Sequence, residues 1–173
     1  NSVLNSIDRM EVRGRDSAGI SLLFMLRAAD YEQFSAALSQ GGFLADFNRR
    51  LDLQPLLNRS IAVYRHGAEV AVAFTYKVAV EIGSLGDNVR FLRREIAGDP
   101  VLHAIVAFPA EFHTVNAHTR WASVGAITEA NCHPVDNRAD EGAAGTLGVI
   151  HACLNGDIAN FQQRNGAFEQ GGG

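Results

Sequence analysis

From Glu69 to Ile82, Val70, Val72, Phe74, Tyr76, Val78, Val80 and Ile82 occupy every second position, with alanines, Thr75 and Lys77 mainly between them. Side chains alternate across a strand, so this run makes one long strand with an apolar face and a second, more polar face. A single sheet covered on one side accounts for that pattern. Ala18 to Leu26 is small and apolar enough for a buried strand, and Ser60 to Tyr64 reads as another. Gly148 to Leu154 is an apolar run of strand length leading straight into Asn155-Gly156.

Helical spacing alternates with these runs. Val3 to Met10 reads as the end of a helix. Phe34, Ala37, Leu38, Phe43, Leu44, Phe47, Leu51, Leu56 and Leu57 give short helices broken at Gly41-Gly42 and Pro55. Asp87 reads as an N-cap before Val89, Leu92, Arg93 and Ile96, and that helix stops near Gly98-Asp99-Pro100. Val101 to Phe108 fits a further helical turn or a strand, ended by Pro109. Asp136 to Gly145 reads as an exposed acidic, glycine-rich stretch, and Arg164 to Gly173 has no periodicity. Strands and helices intermixed without a βαβ rhythm give an α+β class.

At 173 residues the chain fits one domain with a core that needs no staples. A net charge of −4 with no basic block gives nothing electrostatic that would hold a nucleic acid or an anionic membrane surface. Cys132 and Cys153 form neither a CxxC pair nor a disulfide framework, no apolar run is long enough to cross a bilayer, and no signal pattern opens the chain. The expectation is a soluble, cytoplasmic domain. His66, His103, His113, His118 and His151 are scattered without metal-ligand spacing, so no metal or other cofactor is expected.

The chemistry concentrates in Ala117-His118-Thr119-Arg120-Trp121-Ala122-Ser123-Val124-Gly125. A guanidinium grips a carboxylate bidentately, and nearby hydroxyls bond the same anion, which outlines a carboxylate-binding loop. Standing alone, an arginine beside a tryptophan is more often a stacked surface residue. Three other stretches accompany it: Arg13-Gly14-Arg15-Asp16-Ser17-Ala18-Gly19, Asn131-Cys132-His133-Pro134 and Leu154-Asn155-Gly156-Asp157-Ile158-Ala159-Asn160. Together these four stretches resemble the glutaminase domain of the class II glutamine amidotransferases. Within that family, the His-Thr-Arg-Trp form is most similar to the glucosamine-6-phosphate synthase (glutamine–fructose-6-phosphate aminotransferase) branch.

The resemblance implies the four-layer αββα sandwich of the N-terminal-nucleophile hydrolases over residues 1–173, with an insertion at about residues 30–58. It implies hydrolysis of glutamine to glutamate and ammonia, the ammonia passing to a sugar phosphate on an isomerase domain outside this chain, in a homodimer. Asn155 and Gly156 would form the oxyanion hole, an amide side chain and a backbone N–H aimed at the developing charge; their bland reading is a hairpin turn. Arg120 would hold the α-carboxylate of glutamine, with Ser123 adding a hydroxyl and Val124 a backbone N–H. Trp121 would lie on the loop closing over the substrate, or else pack in the core. His133 would support the glutamine site, and Arg13, Gly14 and Asp16 would fix the backbone near the nucleophile.

Two departures stand against the family pattern. The family's nucleophile is a cysteine at the mature amino terminus, whereas Asn1 opens this sequence and neither Cys132 nor Cys153 is terminal. Both cysteines read as small buried hydrophobes. The family's aspartate for the glutamine α-amino group lies beyond Asn-Gly, where the glycine-rich tail does not match, and Asp157 stands too close to replace it. The expectation is a polypeptide longer than these residues at both ends. The alternative is a domain of the same fold that binds glutamine or glutamate, or regulates, without catalysis.

Overall fold

The computed structural model describes residues 2–53, 55–79, 84–121, 126–137 and 150–156, apart from the Arg13 side chain. Helix α1 (Ser2–Met10) runs through a 3-10 turn (Glu11–Arg13) into strand β1 (Ser17–Arg27). Helices α2 (Ala28–Gln40) and α3 (Leu44–Leu51) follow, separated at Gly41-Gly42 as the sequence predicts. Strands β2 (Ile61–His66) and β3 (Glu69–Ala79) come next, then α4 (Asp87–Ala97), α5 (Pro100–Ile105) and β4 (Phe112–Arg120). Two short strands, β5 (Val135–Asp136) and β6 (His151–Ala152), complete the described elements. Val80, Ile82, Gly148, Val149, residues 138–145 and the tail fall outside the described residues.

The main sheet has the order β2-β3-β1-β4, and its three pairings are antiparallel. The class is therefore mixed α+β around an antiparallel sheet. On one face Ile20, Leu26, Val70, Val72, Phe74 and Tyr76 are buried against Leu4 and Ile7 of α1, Phe34 and Leu38 of α2, Val89 and Leu92 of α4 and Leu102 of α5. Each such side chain stabilises the fold by about 1.5–3 kcal/mol relative to exposure. Phe34 sits edge-on to both Phe47 and Phe108, which ties α2 to α3 and to the end of the α5 segment.

The other face departs from the expectation of a sheet covered on one side. Ala73, Thr75 and Lys77, between the apolar positions of β3, are buried as well. Lys77 is tolerated there because its ammonium and its amide both find partners, whereas of Thr75 the amide is paired and the buried hydroxyl makes no hydrogen bond among the described residues. Lys77 Nζ donates to the Leu56 carbonyl at 2.8 Å, and the Lys77 amide donates to Asn58 Oδ1 at 3.2 Å. The Thr75 amide donates to the Ser60 carbonyl at 2.9 Å. Residues 132–134 and the β5-β6 ribbon cover the same face further along.

Several boundaries move. The N-cap of α4 is Gly86, at φ 87, and Asp87 is the first helical residue, its carboxylate accepting from the Ser84 amide. The α4 N-terminus is closed from a distance, since Glu11 accepts from the Gly86 and Asn88 amides and is fully buried in doing so. Val101 onward is helix, because Asp99 caps Val101 and Leu102 and Pro100 suits the first turn. Ala117 to Arg120, read as part of a loop, continues β4 to its end, held by pairing with β1 from Ser17 to Ile20. The strand starting at Ser60 begins at Ile61 and runs on to His66, and among the described residues of the Gly148–Leu154 run, 150–154, strand covers His151–Ala152.

Candidate functional site

Register and the period of two decide which side chains share the second face. Ser17 pairs with Arg120, Gly19 with both His118 and Lys77, and Ser21 with both Asn116 and Thr75. Three cross-strand rows therefore place hydroxyls, an amide, an imidazole, an ammonium and a guanidinium on one surface. Such a face resists burial unless it is paired or used.

The Arg13–Asp16 stretch packs on the Arg120 end of this face. A Cβ on Gly14 would meet the Arg120 carbonyl carbon at 2.9 Å, its nitrogen at 3.0 Å and the Thr119 carbonyl carbon at 3.0 Å, so only glycine fits there. The Asp16 amide donates to the Arg120 carbonyl at 3.2 Å. Glu11 and Asn88 fix this stretch from the other side, Asn88 Nδ2 donating to the Arg15 carbonyl at 2.8 Å. Arg13 lies in the 3-10 turn. Two of the four sequence stretches thus meet at Arg120.

The third stretch sits on Gly19. A Cβ there would stand 2.1 Å from the His133 carbonyl oxygen, so the His133-Pro134 backbone occupies the space a side chain would need. The His133 ring lies 4.8 Å from that of His118. Its Nδ1 accepts from the Leu154 amide at 3.3 Å, which puts the ring proton on Nε2. Burial, then His118, Arg120 and Lys77, hold His133 below the usual histidine range. Burial, then Arg120, lowers His118 as well, and its buried Nδ1 makes no hydrogen bond among the described residues. Ser21 Oγ is hydrogen-bonded to His151 Nδ1, which fastens β6 to the sheet.

Leu154 leads to Asn155 and Gly156, both exposed. The dipeptide follows β6, so it is not the turn of the β5-β6 hairpin. Gly156 has φ 142, a backbone conformation suited to glycine. Trp121 is 64% exposed, which removes the core-packing alternative. Ser123, Val124 and Asp157 lie outside the described residues.

Neither cysteine is primed as a nucleophile. Cys132 is buried, its thiol hydrogen-bonded among the carbonyls of Ala18, His133 and Val78, and burial pushes it up. Burial and the neighbouring Cys132 push half-buried Cys153 up to about 11. A reactive cysteine needs the opposite environment, which favours the thiolate. Among the described residues no group of three or more His, Cys, Asp or Glu is placed to hold a metal ion, and no helix is long and apolar enough to cross a membrane.

The chain is similar to part of an aminotransferase. Over 82 residues it is 37% identical to the glutamine–fructose-6-phosphate aminotransferase (isomerizing) of Gluconobacter oxydans (strain 621H). The match takes in 46% of this chain but only 12% of that protein. No family model and no solved structure matches the chain. The likeness is confined to a short stretch of that aminotransferase and points to a related family without fixing which.

Sequence reasoning passed over His118 and Lys77, although both signals were present. His118 stands two residues before Arg120, and once β4 is run to its end the two share a face. Lys77 interrupts an apolar strand at a position that topology, not local sequence, buries.

Proposed function

We propose that this chain is a glutaminase domain of the class II amidotransferase type, with the four-layer sandwich of the N-terminal-nucleophile hydrolases. The main sheet and the β5-β6 ribbon would form its two inner layers. Its reaction is acyl transfer. A thiolate attacks the side-chain amide carbon of glutamine, the carbonyl oxygen gains charge, ammonia leaves with a proton, and water hydrolyses the thioester to glutamate. Arg120 binds the α-carboxylate, with Ser123 and the Val124 amide beside it. Asn155 and Gly156 stabilise the oxyanion, and Trp121 covers the substrate. Ammonia passes to fructose 6-phosphate on an isomerase domain, within a homodimer.

The observation that carries this reading is the meeting of the Arg13–Asp16 stretch with Arg120 on a polar sheet face, beside His133. The reading requires a cysteine nucleophile ahead of the Arg13 stretch and an aspartate for the α-amino group beyond Asn155-Gly156. The test is ammonia release from glutamine by the polypeptide carrying its gene-encoded N-terminus. In that protein Arg120→Lys keeps charge but loses the fork, so glutamine affinity falls by roughly 1.5–3 kcal/mol. An unchanged KM removes Arg120 from the site.

The raised thiols of Cys132 and Cys153 favour a second reading, a domain that binds glutamine or glutamate without turnover. Calorimetric titration run beside the ammonia assay separates the two. Binding with turnover rejects the second reading, and binding without turnover rejects the first.

A further inference from the structure

His133 touches each part of the site that sequence places apart. Its carbonyl rests on Gly19 of β1, its ring lies beside His118 of β4, and its Nδ1 takes the Leu154 amide one residue before Asn155. That last bond exists only while Nδ1 carries no proton. A proton there turns the acceptor into a donor facing another donor.

The charged surroundings are settled by the packing. From β4 come His118 and Arg120, and from β3 comes Lys77. Glu129, Cys132 and Asp136 belong to its own segment, while Cys153 and His151 belong to the β6 segment. Burial first, and then the charges of part-buried Arg120 on β4 and buried Lys77 on β3, favour the neutral imidazole, the form that can hold Leu154.

We propose that neutral His133 is the positioning residue for Asn155-Gly156: by accepting the Leu154 amide it ties the segment leading into the oxyanion dipeptide to the polar face beside His118, and protonation releases it. This rests on the glutaminase reading above. It differs from a packing role, because packing is indifferent to which ring nitrogen carries a proton. His133→Asn places an amide oxygen close to the position of Nδ1 and cannot titrate. His133→Phe keeps a ring and removes the acceptor.

The experiment measures glutaminase kcat and KM against pH in the complete polypeptide for wild type and both variants. His133→Phe should lower kcat by on the order of a hundredfold, the scale of a catalytic group misplaced by about 1 Å, with KM for glutamine little changed. His133→Asn should recover most of that loss and lack an acid limb that wild type shows below the usual histidine range. Equal impairment of both variants with an unaltered pH profile, or no impairment in either, overturns the proposal. Absence of ammonia release from wild type rejects the glutaminase reading instead. The latch is then read from amide exchange at Leu154. Its protection must fall with acid in wild type and stay constant in His133→Asn; constant protection in both overturns it.

Discussion

Gly14 and the backbone of Arg120 are in contact so close that a methyl group cannot enter: the nearest Arg120 atom would lie 2.9 Å from a Cβ. The obstruction is main chain, which cannot swing aside as a side-chain tip does. Gly14→Ala must therefore push the strand end away from the 3-10 turn.

The expected cost of Gly14→Ala is about 1–3 kcal/mol of stability, the usual scale of overpacking. It should also weaken glutamine binding, because Arg120 moves with its backbone. Gly42 provides the control, since it has φ 76 and a methyl group added there would meet nothing within 4 Å. Gly42→Ala should cost about 1–2 kcal/mol through its left-handed backbone and leave KM for glutamine unchanged. Urea unfolding and glutamine KM on both variants check this. Parallel losses of affinity in the two would break the link between Gly14 and the site.

Asp99 anchors the helical layer to the sheet. It accepts from Arg50 at 2.9 and 2.6 Å, from Tyr76 Oη at 2.5 Å and from the Val101 and Leu102 amides, and both Arg50 and Asp99 are fully buried. Burial pushes its carboxyl up, but the Arg50 and Tyr76 hydrogen bonds outweigh burial and hold it below the usual range. A depressed carboxylate stabilises the fold above its unfolded value, about 3.9, and that stability is lost as pH falls through the folded value. Asp99→Asn leaves the buried Arg50 guanidinium only its looser ion pair with Asp46, at 3.5 Å, and should cost about 3 kcal/mol at pH 7, the low end for breaking a buried pair. The difference from wild type should shrink below pH ~4. Denaturant unfolding at pH 7, 5 and 3 measures it, and a difference independent of pH would contradict the assignment.

Lys77 gives a prediction of opposite direction. Burial lowers its ammonium below the usual lysine range. Between the folded value and the unfolded one near 10.4, the unfolded chain binds more protons, so wild-type stability rises with pH in that window. Lys77→Met removes this component. Since tyrosines titrate in both proteins, the quantity to follow is the difference in unfolding free energy, variant minus wild type, which should decrease from pH 7 to pH 10. A difference that stays level would place Lys77 in a well-solvated setting.

Lys77 also marks where sequence stopped being informative. The period of two located β3 and its apolar face, and Gly41-Gly42 located the break between α2 and α3, because both signals are local. The fate of Thr75 and Lys77 depended on Leu56, Asn58 and Ser60, brought over them by the fold. Glu11 closing a helix that begins at Asp87 is the same kind of event, a cap supplied from far along the chain. For the site, spacing alone left Arg120 a surface arginine, and the resemblance linked it to Arg13–Asp16 before Gly14 and Asp16 were found against its backbone. His118 escapes a reading that makes residues 117–120 a loop, because only a strand there puts it on the same face as Arg120.

Asn155 separates the proposed chemistry from a bland turn most sharply. If its side-chain N–H meets the developing oxyanion, Asn155→Asp puts an acceptor-only carboxylate of the same shape beside growing negative charge. Losing one such donor lowers kcat by on the order of a hundred- to a thousandfold. Ground-state binding should suffer less, since the carbonyl oxygen gains its charge only in the transition state. A turn residue would behave otherwise, because aspartate and asparagine are nearly interchangeable before glycine. Asn155 is exposed, so thermal unfolding should be nearly unchanged in either case. Glutamine hydrolysis and thermal unfolding of this variant, in the polypeptide with its gene-encoded N-terminus, make the comparison. A large kcat loss at near-normal unfolding assigns Asn155 to the oxyanion, and near-normal turnover leaves it a turn.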